Sequence, residues 1–170
     1  MLNSTSAISF GRVISVRGSL ARVGILPTGR MSPAEARATV GRFVSLRSGT
    51  STIVAMITEV SCEHWPTSDQ YIASASVDLL GEILDSAGPR PRFQRGVTNY
   101  PAIGDAAELI TNQELRTVYA PSGSDQINVG TLQQDSSVTA YVDIEEMLSK
   151  HFAVLGSTGV CKSSGVSLLL

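Results

Sequence analysis

Short runs of alternating apolar and polar residues, each closed by glycine or a polar turn, fill the first half of the chain. RVISVRGSLARVGIL reads as two strands about a turn at Arg17 and Gly18. In the second, Ala21, Val23 and Ile25 share one face and Leu20, Arg22 and Gly24 the other, the two-residue period of a half-buried strand. GRFVSLRSGTSTIVAMITEVS repeats the arrangement about Arg47, Ser48, Gly49 and Thr50, and TIVAMITEV is the most β-branched run of the chain. YIASASVDLLGEIL adds a strand with Ala73, Ala75, Val77 and Leu79 at alternate positions. Several short strands at close spacing predict a small closed barrel, because closure gives every edge a partner.

The pattern then changes twice. Residues 86–104 are rich in Pro, Gly and Arg without apolar periodicity, which predicts a loop; Arg90, Arg92 and Arg95 lie there near Phe93 and Tyr100, so a nucleic-acid contact stands beside a solvated loop as readings. PTGRMSPAEARAT predicts a loop with one helical turn. In TNQELRTVY, Thr111 and Glu114 have capping-box spacing, which predicts a short helix. QINVGTL and SVTAYVD predict further β structure. DIEEMLSK follows as a helix with Asp143 as its cap and Ile144, Met147 and Leu148 on one face. HFAVLG, from His151 to Gly156, is continuously apolar at its centre, as a strand covered on both faces is written.

Composition narrows the class. Of 170 residues, 42% are hydrophobic and 16% charged, which is globular rather than disordered, and the net charge of -2 gives no basic nucleic-acid surface over the chain as a whole. Two cysteines, Cys62 and Cys161, and two histidines, His64 and His151, lack metal-ligand spacing. No run approaches the ~18 apolar residues of a membrane span, so the expectation is a cytoplasmic protein without membrane contact.

Chemistry concentrates at the end of the chain. Gly156, Ser157, Thr158, Gly159, Val160, Cys161, Lys162 and Ser163 match G-x-x-x-x-G-K-[ST] except that Cys161 stands where the second glycine belongs. An apolar strand precedes this motif and a helix-compatible run follows it, the setting a phosphate loop requires. Glycines let successive N–H groups converge on an anion at a helix N-terminus. Lys162 would then reach the β- and γ-phosphates of ATP, and the Ser163 hydroxyl would ligate Mg2+. A Gly- and Ser-rich turn without a ligand is the bland reading. At Cys161 a side chain costs about 1–3 kcal/mol where the backbone is strained, which is roughly tenfold to a hundredfold in affinity. Other readings of Cys161 are an oxidation-sensitive thiol beside Lys162 or a sequence lesion. A C-x-x-x-x-x-R phosphatase loop fails, because Val166 and Ser167 stand where arginine is needed.

The stretch DIEEMLSKHFAVLGSTGVCKSSGVSLLL resembles HerA-type ATPases, hexameric DNA-pumping motors, in Asp143 opening a short helix, in the pair Lys150 and His151, and in LGSTG before the loop. Over residues 9–142 the likeness is one of pattern, to the family's N-terminal HAS barrel. The resemblance implies a barrel of residues 1–142 that serves hexamer assembly and docking of a partner nuclease. Residues 143–170 would begin a RecA-like motor domain that binds Mg-ATP and acts on DNA. His151 is read mainly as a structural residue at a strand entrance.

The expected fold is therefore mainly β: a small N-terminal β-barrel followed by a truncated α/β unit of strand, phosphate loop and helix. Seven residues follow Ser163, too few to supply a metal-holding acid or to complete a parallel sheet, so the chain reads as a truncated protein or gene fragment without ATP turnover of its own. The expected function is the N-terminal part of an ATP-dependent DNA translocase or helicase. The alternatives are a non-catalytic interaction module and a degenerate fragment.

Overall fold

The computed structural model describes residues 9–26, 38–49, 51–62, 73–86, 88–120, 126–151 and 153. Six strands form a closed antiparallel ring: β1 (Ser9–Arg17), β2 (Leu20–Ile25), β5 (Ala73–Leu84), β4 (Ser51–Ser61), β3 (Phe43–Ser48) and β7 (Ala106–Leu109), which returns to β1. The expected barrel is thus present. β2 completes it by pairing with β1 on one side and β5 on the other, and β7 fills the gap between β1 and β3.

Alternation decides which side chains enter. Phe10, Val13, Ala21, Val23, Val44, Leu46, Ile53, Ala55, Ile57, Ala75, Val77, Leu79 and Ala107 form the interior core, with Ala21 and Val23 on the inward face that their period assigned them. β4 departs from a half-buried strand: residues 51–55 are all buried, because Ile53 and Ala55 face the interior while Val54 faces a second core outside the ring. That core, of Val54, Ile83, Ile110, Leu115 and Val138, lies beneath α1 (Asn112–Val118).

α1 begins where the sequence placed it. The Thr111 hydroxyl accepts from the Glu114 N–H at 3.2 Å, and the Glu114 carboxylate accepts from the Thr111 N–H at 2.8 Å, so the capping box is complete. Leu115 is then buried against the barrel wall, and Phe43 and Tyr119 meet edge to face at a centroid distance of 6.2 Å.

The structure corrects the loop reading of residues 86–104. β6 (Arg92–Arg95) runs inside that stretch and pairs with β5 outside the ring. Its register depends on Gly81, where a Cβ would come within 2.3 Å of the Gln94 carbonyl oxygen and 2.7 Å of the Phe93 ring. One apolar residue in four, Phe93, gave no alternation to read. The four residues of β7 were equally silent, although they close the barrel.

A separate two-stranded sheet follows, β8 (Gln126–Thr131) with β9 (Thr139–Asp143). Its turn is held to the barrel: the Gln134 side chain accepts from the Phe43 N–H at 2.8 Å, imitating a neighbouring strand, and Val138 and Leu132 join the second core. α2 (Ile144–Leu148) leaves from β9, with its expected Asp143 cap accepting from the Glu146 N–H at 2.8 Å. The helical turn expected within residues 27–37 and the apolar strand at 152–155 lie outside the described residues, apart from Ala153.

Gly81→Ala should cost about 1–3 kcal/mol, because the added methyl meets backbone rather than a yielding side chain. Urea denaturation reads the loss, and an unchanged midpoint would mean that β6 does not sit on β5 as described.

Candidate functional site

The approach to the phosphate loop is described as far as His151. α2 is short, none of its residues is buried, and Leu148 is 55% exposed, so its apolar face of Ile144, Met147 and Leu148 is only partly covered. Lys150 forms an ion pair with Glu146 one turn earlier, and both side chains are mostly solvated. His151 is exposed. Gly156, Ser157, Thr158, Gly159, Val160, Cys161, Lys162 and Ser163, the residues assigned to nucleotide and metal, lie outside the described residues.

A second constellation had no signal in the sequence. Arg47 on β3 donates from Nε to Glu108 on β7 and from Nη1 to Glu114 on α1, both at 2.6 Å, and from Nη1 to the Thr52 hydroxyl at 2.8 Å. Ser45 donates to the other Glu114 oxygen at 3.1 Å. Burial opposes the charge on Arg47, but the bond to Glu108 and the fields of Glu114 and Glu108 outweigh it and hold the pKa above its ordinary value. The guanidinium fork thus ties β3 to β7 and to α1. Arg47 is 61 positions from Glu108 and 67 from Glu114, so only the ring and the helix packed on it bring them together.

Beside this cluster a cleft of about 250 Å3 opens toward Ile83, Pro91, Gln113 and Thr117. A larger one, of about 510 Å3, lies between residues 39–43 and 132–134, where the hairpin turn meets the start of β3. Neither gathers the convergent, unpaired polar groups of a small-molecule site among the described residues. Glu82 is buried at 1% exposure; its Oε1 accepts from the Thr98 N–H at 3.1 Å while Oε2 has no protein partner. That bond fixes the start of the segment after β6.

Arg90, Arg92 and Arg95 are exposed. None of them forms an ion pair among the described residues.

Two comparisons with known proteins found a similarity. The family model described as helicase HerA, central domain, matches residues 127–170. The DNA double-strand break repair helicase HerA of Pyrococcus furiosus is 32% identical over 98 residues, 56% of this chain. Over these stretches the chain is similar to HerA. Both comparisons name the family that the sequence resembles; the family match includes residues 143–170 and begins earlier, near the start of β8. The aligned stretch spans 16% of the archaeal helicase. Among the described residues no helix of the chain is long and apolar enough to cross a membrane.

Arg47→Met should destabilise the fold by about 1–3 kcal/mol, because it leaves two mostly buried carboxylates side by side without their cation. Arg47→Lys should recover less than half of that loss, since one ammonium cannot reproduce the fork. Equal stability of the native and Met forms in urea titration would show the cluster to be energetically idle.

Proposed function

We propose that the chain is the N-terminal part of a HerA-like, ATP-dependent DNA translocase of the helicase type. The single observation that carries this reading is the family match over residues 127–170, which runs through the whole of the loop at 156–163. In this reading residues 1–142 are an assembly and docking module for a hexamer and a nuclease partner, and residues 143–170 begin the ATPase domain. The β8–β9 hairpin is the joint between them. It lies within the family match, yet its turn is fastened to the barrel through Gln134 and Val138.

In this reading Gly156 and Gly159 would supply backbone freedom for the loop, the amides from Ser157 to Lys162 and the Lys162 ammonium would bind the phosphates, and the Ser163 hydroxyl would hold Mg2+. The Cys161 side chain would occupy space that a glycine leaves to the anion. The nucleotide supplies the free energy of movement along DNA; the barrel holds subunits and partner in register. The named archaeal relative is a double-strand break repair helicase, and DNA repair in a cytoplasmic setting is the corresponding role for this chain.

A second reading has its own support. Among the described residues the ring closes with β7, and both cores draw on residues 10–138. A docking module without hydrolysis is consistent with that closure.

Calorimetry with Mg-ATP separates the two. The translocase reading requires binding that falls at least about tenfold in Lys162→Ala and rises roughly tenfold to a hundredfold in Cys161→Gly. Absence of binding in both the native chain and Cys161→Gly would reject it and leave the docking module.

A further inference from the structure

The larger sheet ends on β6, which pairs with β5 and has no other strand beside it among the described residues. Its backbone directions follow from two contacts. The Gly96 N–H donates to the Leu80 carbonyl at 3.1 Å, and the Gln94 carbonyl lies against Gly81. Backbone groups alternate along a strand, so Arg92, Gln94 and Gly96 turn toward β5, and the N–H and C=O groups of Phe93 and Arg95 turn away from it. Meanwhile the Phe93 side chain packs into the second core, which fixes the strand from behind. The result is a short ladder whose outer side meets no strand among the described residues.

Charge borders this edge. Arg90, Arg92 and Arg95 are exposed, and residues 90–100 contain no acid. Beyond them the chain presents Tyr100 at 54% and Ile103 at 76% exposure. That tip is braced rather than loose: the Asp105 carboxylate accepts from the Ala102 N–H at 2.8 Å, the Gly104 N–H donates to the Val13 carbonyl at 2.8 Å, and Gly104 takes a positive φ of 95°. Basic groups flank the open ladder, and an apolar anchor stands next along the chain.

We propose that the outer edge of β6 receives an extended acidic segment of a partner protein, whose backbone pairs with Phe93 and Arg95 and whose carboxylates meet Arg90, Arg92 and Arg95. Strand addition draws affinity from main-chain hydrogen bonds and specificity from the flanking side chains. A second copy of this chain is disfavoured as the occupant, since pairing β6 with itself would set like arginines against each other. Arginine forks match carboxylates in two-point geometry, so the groups that repel another copy admit an acidic strand. The inference is independent of nucleotide binding at residues 156–163.

The test uses residues 1–170 and a fluorescein-labelled twelve-residue peptide of alternating Glu and Val, followed by anisotropy at low ionic strength. Saturable binding is expected, with affinity reduced at least about tenfold when Arg90, Arg92 and Arg95 are all replaced by Glu. Methylation of alternate peptide nitrogens should reduce it similarly, and amide exchange at Phe93 and Arg95 should slow on binding while that at Gln94 does not. The proposal is overturned by absence of saturable binding, which would leave the charges as protection against edge pairing. Undiminished binding to the triple variant, or of the methylated peptide, overturns it too. So does preferential binding of a thirty-nucleotide thymidine strand lost in the triple variant, which would assign the arginines to nucleic acid.

Discussion

A strand edge carries unpaired N–H and C=O groups, and the ring of this chain is rid of its edges only because β7 enters between β1 and β3. β7 has four residues. They must arrive after the chain has left β5, turned through β6 and come back along β1, where Asp105 and Gly104 exchange hydrogen bonds with Val13 before β7 begins. The helix and hairpin that follow take their position from that return path. Two residues separate β7 from α1, so closing the ring also delivers the helix to β5 and β6, within reach of Ser45 and Arg47 on β3 and of Val54 on β4.

β4 is consequently a wall with apolar residues on both sides. Ile53 and Ala55 serve the interior, Val54 serves the core under α1, and the helix is held there by burial of Leu115 and by the grip of Arg47 on Glu114. The ion cluster adds direction rather than bulk stability, since desolvation offsets much of the attraction in half-buried pairs. Its geometry selects one placement of α1 over β3 and β7, and from there Val138 and Gln134 set the hairpin turn.

The β8–β9 hairpin carries this order toward the end of the chain. Two strands alone bury too little apolar surface to be stable in water. Here the turn end is fastened to the barrel, while Val129 and Tyr141 remain exposed at 45% and 41%. The similarity to the HerA central domain begins in the same hairpin, so the element that the barrel steadies is also the first element of the matched family region. The physical link between docking module and nucleotide loop, in the function proposed above, is therefore a short β-ribbon and a capped helix.

The residues by themselves determined every element whose signal is local. Alternation marked β1 to β5, β8 and β9; the Thr111 and Glu114 spacing marked α1; and the Asp143 cap marked α2. The phosphate-loop spacing at residues 156–163 is a sequence observation throughout. Tertiary structure alone decided the rest. β6 and β7 are four residues each, too short for a period to emerge, and they are strands because β5, β1 and β3 offer them open hydrogen-bonding edges. The second face of β4 is buried because α1 lands on it, and Arg47 meets Glu108 and Glu114 because ring closure brings together positions more than 60 apart. Local pattern records which side a residue turns to; only the closed ring determines what waits on that side.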